Sequence, residues 1–180
     1  MRVVSGILKG RKLIDNTFAH IRPTADIVKQ SIFNKLANEV VDARVLDLFA
    51  GTGALGIEAF SRGASDVVFV DKDSRSIKLI IDNLKNLKIE NEVKVLKASY
   101  EDALKKLKGQ KFDLILVDPP YQSGVYKHAI SLICEYDLLS DKGIIVVEQD
   151  KKLDFKFEEF EVIDEKIYGI KKVVYLIKRN

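Results

Sequence analysis

The sequence predicts a doubly wound α/β fold on a mostly parallel sheet, preceded by a short extended arm. Three observations carry this prediction. From residue 44 onward, apolar runs suited to strands alternate with runs of helical periodicity. Several strand runs are apolar at every position, as in Leu114-Ile115-Leu116-Val117 and Gly143-Ile144-Ile145-Val146-Val147, the pattern of strands covered by helices on both faces. The first run leads directly into a glycine-rich turn that opens a helix, Val45-Leu46-Asp47-Leu48-Phe49-Ala50-Gly51-Thr52-Gly53-Ala54-Leu55-Gly56.

Taken in order, Arg2-Val3-Val4 and Gly10-Arg11-Lys12-Leu13-Ile14 are short extended segments, with Gly6 and Gly10 as turn points, so residues 1–14 form a hairpin or extended arm. Pro23 biases Arg22 towards extended geometry, and Thr24 can cap a helix whose first turn carries Asp26. Val28, Ile32 and Leu36 at four-residue spacing, with Phe33 and Val40, predict one amphipathic helix over 25–40. Strands are expected at 44–49, 66–71, 93–97, 112–117 and 143–148, with helices near 53–62, 74–87, 99–108 and 125–137. Residues 159–167 and 172–178 read as two closing antiparallel strands joined by Tyr168-Gly169-Ile170-Lys171. No repeat or linker divides the chain, so 1–180 is expected as one domain, with 1–24 an N-terminal basic arm and 25–180 a Rossmann-like core.

At 180 residues and 47% hydrophobic content the chain can bury a sizeable core and is not generally disordered. It shows neither an apolar run long enough to span a bilayer nor a secretory h-region, so a cytoplasmic location is expected. Cys134 is the single cysteine; no internal disulfide or cysteine metal cluster can form, and its apolar helical setting suggests a small core residue. No metal-ligand cluster is visible. Net charge is +3. Arg2, Lys9, Arg11 and Lys12 precede the first acid, Asp15. This basic arm suits nucleic acid or, equally simply, a solvated lysine-rich surface.

Ligands of open parallel sheets bind beyond the carboxyl ends of the strands. One such end carries the turn from Asp47 to Gly53, including Phe49, Gly51 and Thr52, where glycines let a ligand approach the main chain. A second carries Asp71, twenty positions after Gly51, where a carboxylate can accept both hydroxyls of a ribose. A third carries Ser99, which can cap a helix through a box with Asp102 or contact an adenine. Asp73 is expected as an N-cap. The glycine turn with Asp71 suits a nicotinamide-dependent enzyme as well.

The fourth strand separates these possibilities. It delivers Asp118-Pro119-Pro120-Tyr121 to the same rim. Each proline holds the preceding residue extended, so the Asp118 carboxylate and a main-chain carbonyl, that of Pro119, can converge on one point. Two acceptors there suit a planar exocyclic amine, and Tyr121 supplies a face on which a base can stack. Aiming an amine at an electrophile, beside a nucleoside pocket, implies methyl transfer from S-adenosylmethionine, with alignment doing most of the work.

With these motifs the sequence resembles the bacterial small-subunit rRNA guanine-N2 methyltransferases of the RsmD type. The similarity runs through Arg2-Val3-Val4-Ser5-Gly6, Lys9-Gly10-Arg11-Lys12-Leu13, Arg22-Pro23-Thr24, Val45 to Gly56, Asp118 to Tyr121 and Tyr168-Gly169. The resemblance implies a class I S-adenosylmethionine-dependent methyltransferase sheet of seven strands, the last antiparallel. It also implies action on the exocyclic N2 amine of a guanine in 16S rRNA, free or in an assembling 30S particle. The sequence does not fix the oligomeric state, and a monomer is favoured. By position, Asp47, Phe49, Gly51 and Gly53 would line the methionine side of the cofactor, Asp71 the ribose, and Asp118, Pro119 and Tyr121 the flipped guanine. The arm and Arg22 would meet RNA near the pocket. Many relatives of the fold place Asp or Asn where this chain has Ser99. Two other functions stay open on the residues alone: an N6-adenine DNA or RNA methyltransferase, since Asp-Pro-Pro-Tyr serves that amine too, and a non-catalytic RNA-binding ribosome-assembly factor.

Overall fold

The computed structural model describes residues 1–15, 23–120, 123–153 and 156–179. Among them lie α1 (Pro23–Leu36), β1 (Arg44–Asp47), α2 (Ala54–Ser61), β2 (Asp66–Asp71), α3 (Ser74–Leu87), β3 (Lys94–Lys97), α4 (Tyr100–Lys106), β4 (Phe112–Val117), α5 (Ser123–Glu135), β5 (Leu139–Asp150), β6 (Phe160–Tyr168) and β7 (Lys171–Lys178). They build one seven-stranded sheet in the order β3-β2-β1-β4-β5-β7-β6. Strands β1 to β5 pair in parallel, and β7 runs antiparallel between β5 and β6.

Side-chain alternation along each strand feeds two separate cores. Val45, Phe69, Leu116, Val146 and Val173 pack with α1, α2 and α3 on one face. Leu46, Val70, Val117, Val147 and Val174 pack with α4 and α5 on the other. This two-sided burial explains why the inner strands carry no polar alternation. Phe33, Phe69, Phe112 and Phe160 are fully buried, each worth roughly 1.5–3 kcal/mol of transfer free energy.

Four local expectations are corrected. The helix over 25–40 ends at Leu36; Ala37 turns to φ +43 and a 3-10 turn, Ala37–Val40, follows. That break swings Val40 into the core ahead of β1. At its other end the helix begins at Pro23, which leaves Thr24 inside the first helical turn instead of ahead of it. Strand β5 starts at Leu139, not 143, because its register with β4 shifts between Phe112 and Leu114. Gly143 permits the irregularity: a Cβ there would lie 2.6 Å from Leu139 Cδ1. Cys134 is exposed, since α5 buries the stripe Tyr126, Ala129, Ile130 and Ile133 and position 134 falls outside it.

Residues 1–14 form a hairpin, closed by the Arg2–Lys12 bridge, that is docked on the core. Its seat is Glu58 in the middle of α2. This carboxylate is fully buried, and accepts the Val4 and Ser5 N–H groups at 2.8 and 3.0 Å and Arg62 Nε at 2.9 Å. Lys29 Nζ stands 3.6 Å away and donates to the Arg2 carbonyl at 2.5 Å. A buried charge so fully engaged is stable, and losing one partner would be costly. Ser61 completes the seat, its Oγ accepting Leu8 N–H at 2.9 Å and donating to the Ser5 carbonyl at 2.5 Å.

Candidate active site

The first strand tip is shaped by two carboxylates. Asp71, at the end of β2, accepts the Gly51 N–H with Oδ2 and the Asp73 N–H with Oδ1, both at 2.9 Å. It thereby holds the glycine turn against β2 while keeping lone pairs for a ligand. Gly51 adopts φ +58 and Gly53 φ +80, conformations that a side chain would strain. Gly56 serves packing: a Cβ there would sit 2.3 Å from the Phe69 ring.

Asp47 and Gly53, expected along the methionine side of a cofactor, do not line the cleft. Asp47 is buried behind the turn and accepts the Gly56 N–H at 2.9 Å. Its carboxyl is pushed up to about 7, chiefly by burial, with the Gly56 bond pulling back and the Asp71 charge adding to the rise. Gly53 is the left-handed residue that starts α2. Both are braces of the turn. Their distance from the cleft follows from the same tight bend that brings Gly51 and Thr52 forward.

A cleft of about 680 Å³ opens across the strand tips, within the usual range of small-molecule sites. It is lined by Phe49, Gly51, Thr52, Asp71, Ser99, Asp118, Pro119 and Pro120 of the expected residues. The opening lies where the sheet order reverses beside β1, between β2 and β4. Ser99 caps α4, its hydroxyl accepting the Asp102 N–H at 3.1 Å, and Asp73 caps α3 through the Arg75 N–H at 2.8 Å. Phe49 and Tyr100 form one wall, with centroids 5.5 Å apart, and the Tyr100 hydroxyl meets His128 Nδ1 at 2.8 Å. Tyr100 and Tyr126 both face the cleft.

Asp118 follows β4 directly and keeps a partly exposed surface towards the cleft. Its carboxyl is pushed well above the ordinary carboxylate range, first by burial and then by the Glu148 charge; the Lys171 ammonium opposes this and Asp47 adds to it. Glu148 and Lys171 form an ion pair on the far wall, joining β5 to β7. Neither was singled out from the sequence, nor was Lys29, which also reaches the cleft. Gln149 lines it as well; its Nε2 donates to the Leu153 carbonyl at 2.9 Å while its buried Oε1 lacks a partner among the described residues. Among the described residues no group of His, Cys, Asp and Glu could hold a metal ion, and no helix is long and apolar enough to cross a membrane.

The arm residues stand apart from the cleft lining. Arg2, Lys9, Arg11 and Lys12 are all exposed. Arg11 donates to the Asn86 carbonyl at 2.7 Å, which ties the hairpin to the end of α3. Met1, at the root of the hairpin, does reach the cleft. Arg22 and Tyr121 lie outside the described residues.

Sheet order and a cleft at its switch point, fed by a glycine turn and an acidic second strand tip, define a class I methyltransferase fold. The family described as Conserved hypothetical protein 95 matches residues 1–177. Ribosomal RNA small subunit methyltransferase D of Haemophilus influenzae is 37% identical over 183 residues, covering 100% of this chain and 94% of that protein. The protein of the same name from Escherichia coli K12 is 37% identical over 150 residues, covering 83% and 75%. The solved structure of Escherichia coli yhhF superposes with a TM-score of 0.89 at 32% identity, covering 99% of this chain and 98% of that one. The chain belongs to the family of the small-subunit ribosomal RNA methyltransferase D proteins.

Proposed function

We propose that this protein transfers a methyl group from S-adenosylmethionine to the exocyclic N2 amine of a guanine in small-subunit (16S) rRNA. The observation that carries the proposal is the meeting, in one cleft, of the Gly51 turn, Asp71 and Asp118-Pro119. The donor set suits that cofactor. Asp71 offers acceptors at ribose height, Phe49, Ser99 and Tyr100 enclose a flat group, and the acids at the strand tips favour a cation. S-adenosylmethionine supplies the methyl on a positively charged sulfur, a good leaving group.

The protein's task is then alignment. Asp118 and the Pro119 carbonyl accept the two amine hydrogens and fix the nitrogen. The Asp118 carboxylate stabilises the positive charge that grows on that nitrogen and takes the proton it gives up. The prolines stiffen this loop, so little ordering is left for the moment of reaction. The exposed cations Arg2, Lys9, Arg11 and Lys12 meet RNA phosphates around the cleft, and family membership supports rRNA as the substrate.

The test is incubation with S-adenosylmethionine, labelled on its methyl group, and small-subunit rRNA from a strain lacking the gene, followed by digestion to nucleosides. Label in N2-methylguanosine is expected. No incorporation, or label in N6-methyladenosine, would overturn the proposal.

A further inference from the structure

The far wall of the cleft holds a carboxylate that methyl transfer itself does not require. The β4–β5 ladder ends with Val117 opposite Val147, and both pack in the core under α5. The next residues, Asp118 and Glu148, therefore turn together towards the opposite face. Neighbouring strands lie about 4.8 Å apart, so the two carboxyls stand side by side at the rim. Both line the cleft. Glu148 is paired to Val173 of β7 and reaches diagonally to Lys171, whose ammonium holds it by an ion pair. That clamp orients the carboxylate.

Two acceptors in a row pose a specific demand on a base. Guanine carries its N2 amine next to N1–H, so two adjacent donors face the same edge. Adenine carries its N6 amine next to a bare N1, which is an acceptor. With the amine held at Asp118, the ring position beside it falls against the neighbouring tip.

We propose that the Glu148 carboxylate accepts the N1–H of the target base beside its N2 amine, and so selects guanine over adenine. A carboxylate has acceptor sites beyond the one given to Lys171. An adenine in the same pose sets its N1 lone pair against Glu148 and leaves both groups without a donor, a mismatch that hydrogen-bonding sites penalise heavily. Lys171 acts here as a positioning residue. The inference rests on the proposed guanine-N2 activity and adds the group that reads the base.

The experiment uses rRNA in which the guanine found to be modified is replaced by 2-aminopurine. That base keeps the N2 amine but has no N1–H. Initial rates are measured for both RNAs with the wild-type protein and with Glu148→Gln. The wild type is expected to favour guanine by about 100-fold or more. The variant is expected to bring the two rates within about tenfold, because an amide can turn its oxygen to N1–H or its NH₂ to a bare N1. Equal wild-type rates on the two RNAs would overturn the inference, whatever the variant does, and so would an unchanged ratio in a folded Glu148→Gln protein. Absence of N2-methylguanosine from the natural substrate would instead overturn the function proposed above.

Discussion

Asp71 Oδ2 accepts the Gly51 N–H at 2.9 Å, so the tip of the second strand fixes the turn that follows the first. One carboxylate thus shapes the cleft and faces it. Asp71→Asn replaces one acceptor oxygen by a donor and removes the charge from both bonds. Charged hydrogen bonds contribute about 1.5–3 kcal/mol each, so cofactor affinity should fall by about 10- to 100-fold. Calorimetric titration with S-adenosylhomocysteine checks this. Affinity within a factor of two of the wild type would show that Asp71 serves the turn alone.

Asp118 calls for the opposite outcome. In the proposed reaction it holds the substrate amine, so Asp118→Ala should abolish transfer while cofactor affinity stays within about tenfold. Removing a desolvated carboxyl relieves an unfavourable burial, and the variant should be no less stable than the wild type in urea. Calorimetry beside a methyl-incorporation assay separates the two effects.

The raised carboxyls give stability a pH dependence of unusual sign. Asp47 titrates near 3.8 when unshifted and at about 7 in the folded protein. Between those values the folded state holds more protons than the unfolded one, so stability falls as pH rises through this window. Asp118, shifted in the same direction, adds to the trend. The melting temperature without cofactor should be higher at pH 5 than at pH 7.5, and Asp47→Asn should flatten the slope while keeping an acceptor for Gly56. A cationic ligand favours the ionised acids. S-adenosylmethionine should therefore gain affinity on S-adenosylhomocysteine as pH increases, which titrations at three pH values would reveal.

Gly6 is pressed against the core at φ +84, and a Cβ there would lie 1.7 Å from the Ser61 carbonyl oxygen. Gly6→Ala must lift the hairpin from α2, exposing Val3 and Leu8 and unpairing Glu58. A loss of about 2–4 kcal/mol is expected from such combined strain and unpairing, measured by urea denaturation. Limited proteolysis should cut the variant first within residues 1–14.

Lys9 and Lys12 are exposed on that hairpin. If they touch phosphates, replacing both by alanine should weaken rRNA binding and flatten its dependence on log salt by about 1.4–1.8. Binding titrations from 50 to 200 mM salt test this, and cofactor affinity should not move.

Much of this architecture was legible because its signals are local. A buried parallel strand, a glycine turn and a capped helix are each written within a dozen residues, and Asp71 and Asp118 could be placed from their own strands. What escaped depends on contacts between distant segments. Glu58 reads as one more helical charge until residues 4 and 5 are known to fold back over it. Glu148 and Lys171 become a pair only because β7 enters the sheet between β5 and β6, an order that no short stretch encodes. Asp47 lies off the cleft lining for a related reason: its place at the strand end is as expected, but the bend after it turns the carboxyl inwards to brace Gly56. Cys134 shows the limit of a hydropathy pattern, which marks a helix as amphipathic without fixing the edge of its buried stripe.

The position of β7 also has a consequence for biosynthesis. Strand β6 has no neighbour in the sheet other than the segment made after it, and the free edge of β5 waits for that same segment. A nascent chain halted before Lys171 already contains the strand tips assigned to the methyl donor, yet lacks the ammonium that clamps Glu148. The wall opposite the donor is the last part of the cleft to be translated, so under the role proposed for Glu148 an unfinished copy lacks the clamp that base selection requires.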